Sequence, residues 1–365
     1  ENEVGDGTTT AAMLGGKLLE RAEILLDQKI HPTVIVKGYR IAAEKAKQIL
    51  NEISFGIESK DVLESIAITA MTGKGAESYK EKLAKISVEA VDTVSEGKDV
   101  DISSIKIEKL IGEDVNSSEL VKGLVIKKRK VNDSMPSIIK DARILLIDFP
   151  LEVKNPEAET KLSISSPEQL DSFIQHEENY IRELCGLIMK SGANAVFCQK
   201  GIDELAQYYL ARAGIMAFRR IEKDDIDKLA RATSGKIISN FKDITSEQLG
   251  RAEAVEELRR GNEILSYIKG CVNPKAVTLV LCGGTEHVVD EVERAVKDAL
   301  GDIISVIKSS RIVCGGGAVE IELSRRLRIF SKTIGGREQL AIEEFATALE
   351  SIPEALAENA GLDPI

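Results

Sequence analysis

The sequence predicts a multi-domain chain, helical at both ends and α/β in the middle. Three observations carry this. At about 100–200 residues per domain, 365 residues make two or three domains. Apolar residues recur at helical spacing through residues 8–95 and again towards the end of the chain. Between them lie short continuous apolar runs separated by helical segments, as expected of strands buried on both faces.

Residues 8–28 read as a helix apolar over most of its circumference, and therefore buried, with Leu14, Leu18, Ala22 and Leu25 at helical spacing and Leu19 and Leu26 widening the stripe. His31-Pro32-Thr33 breaks it. A second helix reaches Ile53, and 60–72 and 77–95 give two more around Thr72-Gly73-Lys74-Gly75. Residues 105–110 alternate, and Leu124–Val131 reads as a strand with a basic outer face. Arg143–Phe149, Asn194–Gln199, Ile215–Phe218, Lys236–Ser239 and Val277–Leu281 are the buried runs.

Lys154 to Ser191 is a long insertion. Ser166-Pro167-Glu168 starts its helix by the N-cap and N1-proline rules. Its stripe of Leu170, Phe173, Ile174, Ile181, Leu184 and Ile188 serves either as core or as an interaction surface. After Gly283-Gly284 comes a helix with Val288, Val292, Ala295, Val296 and Ala299 on its apolar side. Ile312–Cys314 leads into Gly315-Gly316-Gly317, and the remainder is helical. The two helical ends are expected to meet in one domain, with the middle inserted into it.

Hydrophobic residues make up 43% and charged residues 30%, which permits a large core under a charged surface. The net charge of −11 argues against a general nucleic-acid binder. No apolar run approaches the roughly 18–20 residues that cross a bilayer, and no signal peptide is visible, so a cytoplasmic location without membrane contact is expected. Cys185, Cys198, Cys271, Cys282 and Cys314 form no Cys-x-x-Cys pair and sit in apolar patterns, so buried reduced thiols are expected. Three scattered histidines argue against a histidine metal site. Absent Trp, few aromatics and many charges match a thermophile pattern.

The segment Glu3-Val4-Gly5-Asp6-Gly7-Thr8-Thr9-Thr10-Ala11 carries the chemistry. Backbone amides at a helix N-terminus attract phosphate, Asp6 can hold Mg²⁺, and the threonine hydroxyls can bond phosphate oxygens. An ordinary helix cap is the plain alternative. The Gly-x-x-x-x-Gly-Lys-[Ser/Thr] and Gly-x-Gly-x-x-Gly signatures are absent, so neither a P-loop nor a Rossmann site is supported.

Longer segments add to this. Val4-Gly5-Asp6-Gly7-Thr8-Thr9, Met71-Thr72-Gly73-Lys74, Val196-Phe197-Cys198-Gln199-Lys200-Gly201-Ile202 and Leu229-Ala230-Arg231-Ala232-Thr233 come first. Gly283-Gly284-Thr285-Glu286-His287, Gly315-Gly316-Gly317-Ala318 and Glu358-Asn359-Ala360-Gly361-Leu362-Asp363 follow in order. Together they resemble the group II chaperonins, specifically an archaeal thermosome subunit, over essentially the whole chain.

The resemblance implies a chaperonin fold of three domains: a helical equatorial ATP-binding domain (1–57 and 311–365), a small α/β intermediate hinge domain (58–122 and 278–310), and an α/β apical substrate domain (123–277) whose helical protrusion, about 152–191, forms a lid. It implies ATP and Mg as cofactors. Asp6 resembles the magnesium-binding and catalytic carboxylate, with Gly5, Gly7, Thr8, Thr9 and Thr10 at the phosphates. Gly316 resembles the glycine admitting sugar and base, and Lys74 resembles a γ-phosphate-sensing lysine. Asp298 resembles the carboxylate that activates the attacking water. From the residues alone, Asp298 reads as a solvated partner of Arg294, four positions earlier.

The resemblance also implies an ATP-dependent chaperone that encloses non-native proteins, with identical or homologous subunits in two stacked rings of eight or nine. Gly123 and Gly283-Gly284 are hinge candidates or plain turn glycines. Leu162, Ile164, Leu170, Phe173, Leu205, Tyr208 and Tyr209 are client-binding candidates or core. Segments known at both ends of the family are not in the sequence, so the chain by itself is expected to bind ATP poorly and to be inactive alone. Rival functions are an ATP-independent holdase or scaffold, and a small-molecule kinase built on the Asp6 loop.

Overall fold

The computed structural model describes residues 6–57, 59–95, 97, 99–153, 167–271 and 274–363, with the backbone alone for 167–174. In chain order the elements are α1 (Thr8–Asp27), α2 (Pro32–Ile53), β1 (Phe55–Gly56), α3 (Lys60–Met71), α4 (Lys80–Val94), β2 (Ile105–Ile111), β3 (Glu119–Val121), β4 (Gly123–Ile126) and β5 (Ile138–Ile147). There follow α5 (Pro167–Ser191), β6 (Ala195–Cys198), α6 (Glu204–Arg212), β7 (Met216–Phe218), α7 (Lys223–Thr233), β8 (Ile237–Ile238), β9 (Gly250–Arg260) and β10 (Glu263–Lys269). The last are β11 (Val277–Gly283), α8 (Glu286–Ser309), β12 (Arg311–Ile312), α9 (Ala318–Ser331) and α10 (Glu338–Asn359). Two compact units result: residues up to Ile66 with those from Gly301 on, and Ala67–Leu300.

The first unit is helical. His31 caps α2 by accepting from the Thr33 N–H, and Pro32 fills the first turn where no amide is needed. Ala42, Ala46 and Ile49 of α2 pack with Leu323 and Leu327 of α9 and with Ile342 and Leu349 of α10. Gly38 lets α2 close on α10, since a Cβ there would stand 2.5 Å from the Ala341 Cβ. The end of α2 is held by Arg311, whose guanidinium donates to the Asn51 carbonyl at 2.6 Å. β1 and β12 pair antiparallel beside it. One expectation fails here. Within α1 only Leu25 is fully buried, while Leu19 is 75% exposed, because the other described helices cover one side of α1 alone.

The second unit holds two sheets. The larger runs β4-β10-β9-β5-β6-β7, with β8 beside β5. Phe197, Phe218, Leu229 and Ile144 lie in the core on its α7 side. Ile181, Leu184 and Ile188 of α5 pack with Ala206 and Leu210 of α6 in the core on the other. The lower stripe of α5 is therefore core, not an interaction surface. The smaller sheet is β2-β11-β3, with β2 parallel to β11. Leu110, Val121 and Val280 of this sheet share a core with Val125, Leu265 and Tyr267 of the larger one. Arg260 ties the two sheets together. It hydrogen-bonds Glu113, pairs with Glu119 at 2.6 Å and donates to the Tyr267 hydroxyl at 3.0 Å. The Arg260 hydrogen bonds hold the Glu113 carboxyl below the usual carboxylate range.

Other expectations shift. The β9–β10 hairpin was not among the expected strands: Gly250–Arg260 is rich in Ala, Glu, Leu and Arg, which favour helix, and sheet pairing on both sides overrides that propensity. β4 stops at Ile126, short of Val131, and β5 begins at Ile138 rather than Arg143. On α8, Val292, Ala295, Val296 and Ala299 are buried as expected, but Val289 is buried beside them whereas Val288 is 38% exposed. Gly123, a hinge candidate or a plain turn glycine on the sequence, begins β4 and is wedged there: at φ 147 a Cβ would collide with the Ile268 carbonyl oxygen. Gly283 packs on Val289, while Gly284 stands clear of neighbours.

Cys314 is exposed, against expectation, because Ile312 ends β12 and the glycine loop follows. The other four thiols are buried, and burial pushes Cys185, Cys271 and Cys282 up to about 11 and Cys198 up to about 12. At pH 8 those four stay protonated and covered. Native protein treated with a maleimide is therefore expected to label rapidly at Cys314 alone, and peptide mapping that finds Cys198 equally labelled would contradict this packing.

Candidate functional site

In the helical unit, α1 begins without a side-chain cap. Gly7 is the N-cap in the left-handed region, φ 92, and its N–H donates to Asp6 Oδ1 at 2.7 Å. Neither Asp6 nor a threonine performs the ordinary capping expected as the plain alternative. The amides of the first turn, at Thr8, Thr9 and Thr10, have no intrahelical acceptor, and these residues with Asp6 and Gly7 are exposed. Such a terminus suits an anion. Gly5 lies outside the described residues.

The second glycine loop lies in the same unit. Among the described residues, no heavy atom lies within 4 Å of the place a Cβ of Gly316 (φ 69) would occupy, so its backbone is open to close approach. Gly317 (φ 81) is the N-cap of α9, and a Cβ there would meet the Pro353 Cβ at 2.5 Å. Gly317 is thus demanded by packing on α10, and Gly316 is left free of that constraint.

In the other unit, Lys74 and Asp298 meet. Lys74 occupies the turn after α3, next to Gly73 in the left-handed region at φ 77. Gly75 brings that turn to α8, its Cβ position 3.4 Å from the Glu291 Cβ. Lys74 Nζ then reaches Asp298 Oδ2 at 2.5 Å, with the two side chains 26% and 12% exposed. The solvated Arg294–Asp298 pair is not what forms. Asp298 faces the turn across α8, and its cation comes from 224 positions away. Asp6 and Asp298 fall in different units.

Of the client candidates, Leu162 and Ile164 lie outside the described residues, as do the side chains of Leu170 and Phe173. Leu205 and Tyr209 pack on the core, and Tyr208 is 53% exposed. The basic face expected of Leu124–Val131 supplies Lys128, Arg129 and Lys130, but Arg219 and Arg220, which the structure gathers around the same groove, were not expected to join it. The four-residue run 127–130 and the adjacent arginine pair were the available signal.

The sequence profile of the TCP-1/cpn60 chaperonin family matches residues 1–365. The chain belongs to that family. It is 53% identical to thermosome subunit beta of Archaeoglobus fulgidus, over all of this chain and 68% of that relative. It is 51% identical to the thermosome subunit of Methanopyrus kandleri, with the same coverage. Among solved structures, the open-state monomer of a group II chaperonin from Methanococcoides burtonii matches with a TM-score of 0.67 and 46% identity, over 99% of this chain and 85% of that one. The multi-domain helical and α/β architecture is a chaperonin fold, and the chain is a chaperone of the thermosome-like, group II kind. Among the described residues of this chaperonin, no helix is long and apolar enough to cross a membrane.

Proposed function

We propose that this chaperonin chain is an ATP-driven folding subunit, with the α1 terminus and the Lys74–Asp298 pair as the residues that serve hydrolysis. The observation that carries this is the pair itself. A carboxylate 12% exposed, fixed on α8 by a lysine from a glycine turn, is a positioned group rather than a solvated one. The uncapped first turn of α1 would take the phosphates through the Thr8, Thr9 and Thr10 amides and hydroxyls. Asp6 would hold Mg²⁺, which supplies charge neutralisation at the phosphates. Gly316 would let sugar and base approach the backbone. Lys74 carries a charge able to recognise a γ-phosphate, and Asp298 an oxygen able to orient and deprotonate water.

On this reading residues 1–57 and 311–365 form the equatorial domain, 58–122 and 278–310 the intermediate one, and 123–277 the apical one. Because Asp6 and Asp298 belong to different units, hydrolysis would report a conformational state. Homologous subunits in two stacked rings would enclose non-native proteins, whose exposed apolar groups supply the drive to bind.

The test is ATP turnover and client refolding by the assembled full-length protein carrying Asp6→Ala, with labelling of exposed Cys314 as a separate readout of nucleotide binding. Wild type is expected to turn over ATP and to label more slowly at Cys314 with Mg-ATP, and the variant to lose both behaviours. Turnover that survives Asp6→Ala would refute the site. Refolding without turnover would favour a passive holdase.

A further inference from the structure

A groove of about 460 Å³ in the unit that holds the large sheet is lined by Lys128, Arg129, Lys130, Val131, Arg219 and Arg220. Five of these six residues are cations, in a chain whose net charge is −11. Their local compensation is thin. Arg129 pairs with Asp133 at 2.6 Å. Lys130 is 8% exposed, and its Nζ donates to the Met135 carbonyl at 2.7 Å and to Ser137 Oγ at 2.8 Å, both neutral acceptors. The Lys130 backbone N–H donates to Glu257 Oε2 at 2.7 Å. Among the described residues, no carboxylate lies within ion-pair distance of Lys128, Arg219 or Arg220.

The backbone holds this arrangement in place. β4 ends at Ile126, so the basic residues 127–130 lie beyond it, and the Val131 N–H returns to β7 by donating to the Ala217 carbonyl at 2.9 Å. β7 ends at Phe218, and Arg220, in the left-handed region at φ 54, donates its N–H to the Lys200 carbonyl at 2.9 Å. Both arginines are exposed, and Lys130 is buried and held by its hydrogen bonds. Five like charges gathered beside few counter-charges raise the potential of the groove, and an incoming anion relieves it.

We propose that this groove docks acidic, extended polypeptide segments, so that client capture has an electrostatic component beside the apolar one. The proposal rests on the client-binding reading of this region given above. Two exposed arginines offer planar forks that match carboxylates, and a lysine offers a point charge for the next one. A nucleic-acid strand fits less well: among the described residues no aromatic ring lines the groove for bases to stack on.

Fluorescence anisotropy on the full-length protein decides the matter, with a labelled glutamate-rich peptide and its lysine-rich counterpart as probes. The glutamate-rich peptide is expected to bind more tightly and to weaken as salt screens the groove. The double variant R219E/R220E is expected to lose about tenfold or more in affinity. R212E, which reverses an exposed charge at the end of α6 away from the groove, is expected to keep it. Equal affinity for the two peptides, or an unchanged double variant, overturns the proposal. So does displacement of the peptide by tripolyphosphate or a single-stranded oligonucleotide at lower concentration than by unlabelled peptide, which would make the groove a phosphate site. Circular dichroism of the double variant separates lost binding from lost folding. ATP turnover measured in parallel stays at the wild-type level whether or not the groove binds peptide, and its absence in wild type would count against the broader reading alone.

Discussion

Asp298→Ala in the assembled full-length chaperonin is expected to lower ATP turnover by about 10²–10⁴-fold, the range a positioned acid–base group supplies, or about 3–5 kcal/mol of barrier. Nucleotide affinity, read by equilibrium titration, should change far less, because phosphate and metal contacts are assigned to Asp6 and the threonines. Folding should not confuse the result. The partner left behind, Lys74, is 26% exposed and can be solvated, so the stability cost is about 1 kcal/mol. Asp298→Asn keeps the shape and removes the charge, and it should fall as far as the alanine variant. If both variants hydrolyse ATP at the wild-type rate, the Lys74–Asp298 pair is a structural ion pair and the hydrolytic assignment fails.

The second large effect is on stability. Gly123→Ala is expected to destabilise the sheet-bearing unit by about 3 kcal/mol, from overpacking and backbone strain together. At φ 147 any Cβ is strained, and the atom it would meet is the carbonyl oxygen of Ile268 at 2.0 Å, on the strand that pairs with β4. That oxygen cannot move without breaking the β4–β10 ladder. Gly284→Ala has open space and no positive φ, so it should stay within about 0.5 kcal/mol of wild type. Urea unfolding of the two variants separates the possibilities. A Gly123→Ala protein of normal stability but altered conformational response would restore the hinge reading that the packing argues against.

Much of this was legible in the chain. The amphipathic periods of α2, α4 and α8 placed those helices within a few residues, since a stripe repeating every turn has one way to be buried. Continuous apolar runs marked β5, β6, β7 and β11 because strands covered on both faces need no polar side. The Gly-Asp-Gly-Thr-Thr-Thr segment pointed to an anion-ready helix terminus, although it did not disclose that Gly7 rather than a side chain would stand at the cap. The β9–β10 hairpin was not legible, because its residues favour a helix and only neighbouring strands make it a sheet.

By itself the sequence determined the helical ends, the α/β middle, the family and the first glycine loop, all of which rest on local spacing and on motifs contiguous in the chain. Tertiary structure alone decided that Asp298 meets Lys74 instead of Arg294, that Gly123 is wedged against a carbonyl, and that Lys128 and Arg219 line one groove. Those outcomes depend on atoms brought together from distant positions, and side-chain charge and packing act through distance in space, which one-dimensional spacing does not encode.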